Sequence, residues 1–240
     1  MTRSFRTDYL TTSPATFAPL IGNPTRFGAL TIDGAINLID TNIALFTAIA
    51  NLREVKVLCV NRSNQLSKIR VAHIDGAIGA IASEDYIFYD VDLLPNETKV
   101  VNIDGMAATD TVLVRSTIVD VGFMADGQTM SADYGYRRLA AATVLADTPT
   151  ALHLTTGATE NITVVACNKD PLISAYVRIA IIDAAVIGSL AVEDYIVFDD
   201  LIQPTESKTY NLELDMPVNN LIGVQSTDAD TNFLMYGRLQ

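Results

Sequence analysis

The sequence predicts an all-β protein: two tandem antiparallel β-sandwich domains from an internal duplication, preceded by an extended N-terminal arm. Three observations predict it. The chain repeats itself at an offset that drifts only from 107 to 110 residues. Within each copy, β-branched residues alternate with others over five or six positions, the period of a half-buried strand. Turn formers recur every eight to twelve residues with no sustained 3.6-residue period, the pattern of a sandwich of seven or eight strands.

Residues 1–34 stand outside the repeat. Pro14, Pro19 and Pro24 fall at five-residue intervals with no clean period around them, which predicts an extended arm over 1–34. Arg3, Arg6 and Arg26 against Asp8 give residues 1–32 a net charge of +2, while the remaining 208 carry −14. A basic arm can dock on the acidic body of a neighbour, with Phe5, Tyr9, Phe17 and Phe27 as anchors. The alternative is a tail free in solvent or lying along its own domain.

The repeat then opens. Asp40-Thr41 with Ala44-Leu45 returns as Asp147-Thr148 with Ala151-Leu152, and KIRVAHIDGA (68–77) returns as YVRIAIIDAA (176–185). EDYIFYD (84–90) returns as EDYIVFD (193–199). Pro95, Glu97, Lys99 and Asn102 return as Pro204, Glu206, Lys208 and Asn211, and Ser116-Thr117 as Ser226-Thr227. Strands are expected at 55–60, 69–74 and 99–103, divided by turn formers at 61–64, Asp75-Gly76, Pro95-Asn96, Asp104-Gly105 and Asp126-Gly127. One weak helical candidate, 42–52, is too little for a parallel βαβ design. The first copy closes either with 118–124, matching Phe233, or with 132–136, where Tyr134-Gly135 mirrors Tyr236-Gly237. The second choice is preferred, with Asp126-Gly127 as an extra hairpin turn. The domains are then 35–136 and 137–240.

Composition narrows the function. Two Cys in 240 residues cannot staple the chain, and 49% hydrophobic residues exclude disorder. Sixteen basic against 28 acidic residues give −12, which lacks the basic footprint that a phosphate backbone needs, so no nucleic-acid partner is expected. The N-terminus has no apolar signal-peptide core. The longest apolar stretch, 184–192, is half of the ~18 residues of a spanning helix, so no membrane is expected. With 18% charged residues and a mean hydropathy of +0.27, the chain has too little charge to cover its own surface. Much of that surface is expected to be buried against other subunits.

The duplication also serves as an internal control on chemistry. His73 corresponds to Ile181 and His153 to Phe46, so both histidines read as strand positions, with no partner suggested by spacing. Cys59 aligns with Ala166 and Cys167 with Val60, on opposite strand faces, as two separate core thiols. Glu84-Asp85 with Asp90 and Asp92, Glu193-Asp194 with Asp199-Asp200, and Asp228 with Asp230 offer oxygen ligands, yet no calcium-loop consensus joins them. No phosphate-binding glycine loop, H-E-x-x-H or G-x-S-x-G is present. No catalytic residue, metal or cofactor is expected. The apolar connections ahead of each EDYI strand, with Ile78 and Ile81 in one copy and Val186, Ile187 and Leu190 in the other, form a second candidate contact surface. A further buried strand is the alternative.

The string SEDYIFYDVDLLPNETK (83–99), a V-x-V strand, Ser-Thr and a Tyr-Gly ending resemble a repeat of tailed-bacteriophage virion structural proteins, the accessory components of heads, necks, tails and fibres. The resemblance spans 55–136 and 162–240 and not the arm. It implies a non-enzymatic role in joining, stabilising or decorating other particle proteins, with itself (as a homo-oligomer) and other virion proteins as partners. It also implies a place in the virion, after synthesis in the host cytoplasm. A rival reading is a glycan-binding module of a receptor-recognising fibre. The absence of Trp counts against it, because sugar faces stack on such rings.

Overall fold

Period-two alternation is realised where a strand has one face in a core and the other toward solvent, as in the strands Leu52–Asn61 and Val121–Thr129. In β3 (Leu52–Asn61), Val55, Val57 and Cys59 point into a core while Lys56 is exposed and Leu58 and Val60 are half-buried on the opposite face. The computed structural model describes residues 25–32, 40–76, 81–130, 136–157, 159–183, 186–188, 190–212 and 216–239. These residues are all-β. The first sandwich holds β1 (Thr25–Ile32), β2 (Ile43–Thr47), β3, β4 (Ser67–Ile74), β5 (Tyr86–Leu93), β6 (Thr98–Met106), β7 (Thr111–Ser116) and β8 (Val121–Thr129). The second holds β9 (Tyr136–Thr143), β10 (Thr150–Leu154), β11 (Thr159–Asn168), β12 (Ala175–Ile182), β13 (Tyr195–Ile202), β14 (Ser207–Asn211), β15 (Leu221–Ser226) and β16 (Thr231–Leu239). Short 3-10 turns, Ser83–Asp85 and Val192–Asp194, lead into β5 and β13.

The sheet orders are β1-β8-β3-β6 over β2-β7-β4-β5, and β9-β16-β11-β14 over β10-β15-β12-β13. All described pairings are antiparallel, and each pair of four-stranded sheets is a jelly roll. Backbone strain repeats with the strands. Left-handed φ values occur at Asp40 and Asp147, Glu54 and Asn161, Asp90 and Asp199, Asn96 and Thr205, and Thr109 and Asn219, pair by pair at matching positions. Most are Asp or Asn, which tolerate that region best.

Phe123, Ile32, Leu52, Ile69, Leu93 and Ile103 fill the first core. Phe233, Ile162, Ile179 and Ile202 fill the second. The two cores are joined. On β16, Phe233 and Met235 point into the second sandwich, while the alternate residues Leu234 and Tyr236, with Val165 of β11, belong to the first core. The sheet β9-β16-β11-β14 is thus buried on both faces, with β5 lying against β11 and β6 against β9. This sheet positions the site.

Several expectations are corrected. Residues 25–32 are not arm. They pair along their length with β8, from Thr25 opposite Gly127 to Ile32 opposite Val121. A bulge between Arg26 and Gly28 breaks their alternation and hides the strand from a pattern reading. Gly28 is required there, because a Cβ would stand 2.4 Å from the Leu45 carbonyl oxygen. The first sandwich closes with β8, the choice not preferred above. Asp126-Gly127 is inside that strand and matches Tyr236-Gly237. Tyr136 begins the second sandwich, and 131–135 lie outside the described residues. The weak helical candidate at 42–52 is β2 and the start of β3.

Candidate functional site

The richest chemistry among the described residues lies at the junction of the two sandwiches. β4 ends at the face of β16, and β7 starts beside it, which brings three side chains distant in sequence into one line. His73 Nε2 is 3.0 Å from Asp110 Oδ2, and His73 Nδ1 is 3.0 Å from the Tyr236 hydroxyl, with the two rings nearly parallel. Asp110 also accepts the backbone N–H groups of Gly76 (3.0 Å) and Ala107 (2.8 Å). A carboxylate can only accept, so Nε2 carries the imidazole proton and Nδ1 accepts from Tyr236 O–H.

Burial pushes the His73 imidazolium well below its usual range, outweighing the neighbouring Asp110. Burial alone would raise Asp110, but the His73 hydrogen bond and charge and the two backbone N–H donors hold its carboxyl below the ordinary value. Burial drives the Tyr236 hydroxyl up, so it stays a donor. The line is neutral imidazole between a carboxylate and a phenol, shut from solvent throughout. It orients and locks.

Around it the same face is clamped. Arg138 of β9 donates to the His73 carbonyl and to Asp85 Oδ1 at 2.9 Å, while Asp85 Oδ2 accepts the Ala82 N–H. Asn232 Nδ2 bridges the carbonyls of Glu84 (3.1 Å) and Tyr86 (2.8 Å). Lys169 donates to Ser83 Oγ, and Ser207 Oγ donates to the Ile87 carbonyl. Gly105 lets β6 reach β9, since a Cβ would fall 2.6 Å from the Tyr136 ring and 2.8 Å from its carbonyl oxygen. Cys167, on this face, and Cys59, inside the first core, are both free thiols, pushed up by burial to about 11 and about 12.

The acidic strand ends have partners. Arg70 makes a two-bonded pair with Asp90 (2.6 and 2.8 Å), and Arg178 makes one bond to the matching Asp199, at 2.5 Å. Lys68 meets Asp92 and Lys208 meets Asp200, each at 3.1 Å. Asp170, Asp228 and Asp230 do gather within 4.8 Å of one another. Their oxygens also cap turns, Asp170 accepting from Leu172 and Ile173 N–H and Asp228 from Asp230 N–H, and Lys169 faces the group.

The expected contact residues scatter. Arg3, Phe5, Arg6, Tyr9, Phe17 and Ile78 lie outside the described residues. Phe27 stacks on Phe46 of its own sandwich, 5.7 Å between centroids, and Arg26 is exposed on β1. Ile81 packs on a small cluster of Ala72, Ile74, Tyr86 and Leu113. Val186 is exposed, and Ile187 and Leu190 are half-buried, with Ile187 lying over Gly223. Sequence reasoning missed His73, Asp110 and Tyr236 as a unit, because Asp110 lies 37 and Tyr236 163 residues from His73. Their counterparts in the other copy are Ile181, Asn220 and Asp126, so the duplication conceals the line.

No protein-family model matches the chain, and no curated protein matches it. Among solved structures, a chain of Broad Bean Stain Virus is similar at 10% identity and TM-score 0.38, over 97% of this chain and 93% of that one. A fucolectin from the serum of striped bass, Morone saxatilis, is similar at 8% identity and TM-score 0.27, over 91% and 97%. A chain of the T13 IBDV viral particle is similar at 10% identity and TM-score 0.23, over 79% of this chain and 55% of that one. At these identities and TM-scores the likeness carries no argument about the chain.

Proposed function

We propose that the chain is a non-enzymatic structural component of a virus particle of the tailed-bacteriophage kind. It joins, stabilises or decorates other particle proteins through its jelly-roll surfaces and the segment ahead of β1. One observation carries the reading. Large apolar side chains stand outside at turns and edge strands, with Leu172, Val186, Leu145, Ile173, Leu94 and Phe198 all exposed. Such surface is normally covered by a partner.

The supporting facts agree with one another. The site richest in polar chemistry is sealed and spent on holding two sandwiches together, so it offers a substrate nothing to touch. The net charge of −12 disfavours nucleic acid, and no helix among the described residues is long and apolar enough to cross a membrane. Jelly rolls serve viral capsids and lectins alike, so the fold narrows the choice without making it. The repeat resemblance at 83–99 favours the virion. Gradient-purified particles of the virus that encodes the chain should contain it at a fixed ratio to the major particle protein. Its absence from particles, with the chain abundant in infected cells, overturns the reading. Saturable binding to one sugar class on a glycan array would replace it with a receptor-binding one.

A further inference from the structure

The surface that joins the two sandwiches is copied at both ends of the molecule, where no other described residue of the same chain is seen to dock on it. In the junction, the EDYI segment of the first sandwich docks on the outer face of the sheet β9-β16-β11-β14. The second sandwich carries the same four residues, Glu193-Asp194-Tyr195-Ile196, at the matching strand start. There they face outward. Ile87 is 3% exposed, but its counterpart Ile196 is 43% exposed, and Phe198, the counterpart of the half-buried Tyr89, is 56% exposed.

The receiving face is copied too. In the junction it is a row across three strands, Val165, Leu234 and Ala141, packed on the first core, beside Arg138, which takes Asp85. On the outer face of β1-β8-β3-β6 the register puts Leu58, Met124 and Ala29 in the same row, continued on the edge strand by Val100, which is 48% exposed. Leu58 and Met124 are half-buried and Ala29 is exposed. Arg26 occupies the place of Arg138, next to the same bulge and opposite Asp126 as Arg138 is opposite Tyr236. It is exposed. Arg62 stands where Lys169 does, and Thr98 supplies a hydroxyl where Ser207 does.

We infer that the 3-10 turn and β13 edge of one chain dock on the outer face of β1-β8-β3-β6 of a second copy, repeating between chains the contact made within one. Asp194 meets Arg26, and Ile196 and Phe198 cover the Leu58–Met124–Ala29 row. The contact is head-to-tail, so each copy has one donor and one acceptor end, and the assembly closes into a ring or extends. It is weaker than the internal junction, because Gly122 replaces the clamping Asn232, and no histidine line is rebuilt where Ile181 and Asp126 stand. The inference rests on the assembly reading above and names the partner as a second copy.

Half-blocked chains test it. Ile196→Asp with Phe198→Asp removes the donor end, and Met124→Asp with Arg26→Glu removes the acceptor end. All four positions are exposed or half-buried, and far-UV circular dichroism with a thermal melt confirms that each double variant folds. Native mass spectrometry and sedimentation, from about 1 to 200 μM, then read the assembly. The wild-type chain should oligomerise, each double variant should stay monomeric, and an equimolar mixture of the two should form a heterodimer that grows no further. Variants that oligomerise like wild type, or a mixture of folded variants that stays monomeric, overturn the inference. A wild-type chain that is monomeric at every concentration yet present in purified particles overturns it and leaves the virion reading standing.

Discussion

At the scale of single residues, the junction is set by a neutral histidine. The unfolded chain takes up a proton on each histidine near the ordinary value of 6.5, while burial keeps His73 and His153 neutral in the fold to lower pH. Stability is therefore full above about 6.5 and declines as pH falls below it, by at most about 1.4 kcal/mol per pH unit for each histidine. Melting temperature should drop as pH falls from about 6.5 to about 5, and His73→Gln should make that decline shallower; an unchanged profile would remove His73 from the account. Tyr236→Phe should cost about 1–3 kcal/mol by leaving Nδ1 without its donor, measured by chemical denaturation at neutral pH. Thr109 holds a left-handed φ of 84° that a β-branched residue resists, and its counterpart is Asn219. Thr109→Asn should therefore stabilise the chain by about 0.5–1 kcal/mol.

At the scale of elements, β1 and the β6–β9 approach carry the clearest consequences. Removal of residues 2–32 strips an edge strand from the first sheet and should abolish the melting transition of that sandwich, whereas unchanged melting would show that β1 contributes nothing. Gly105→Ala should lower stability by about 1–3 kcal/mol through the Tyr136 backbone, which cannot turn aside as a side chain tip can. Strand existence was legible from alternation and turn spacing in the middle of each copy, where Val55, Val57 and Cys59 strictly alternate with their neighbours. It was illegible at β1, where the bulge between Arg26 and Gly28 shifts the period, and at the boundary, where Tyr134-Gly135 imitates the true match, Asp126-Gly127 with Tyr236-Gly237. The junction line escaped for another reason. Period and spacing report neighbours along a strand, and contacts such as His73 to Tyr236 exist only once sheets from two domains meet.

At the scale of the whole molecule, one internal contact accounts for the buried outer face of the sheet β9-β16-β11-β14. The sheet β9-β16-β11-β14 has two apolar faces, so a chain cut down to the second sandwich should expose Val165 and Leu234 and aggregate. The low charge content read from the sequence pointed to surfaces finished by neighbours, and exposed Ile196, Phe198 and Val100 are where the inferred contact would draw on them. Acidic self-repulsion at −12 would oppose the inferred contact, so raising the salt concentration should favour it. The most direct measurement is the weight-average mass of the full chain by sedimentation equilibrium as its concentration is raised. The account predicts a steady climb above the 25.9 kDa of a single copy. A mass that stays at that value up to about 200 μM, with no other protein bound, would contradict it.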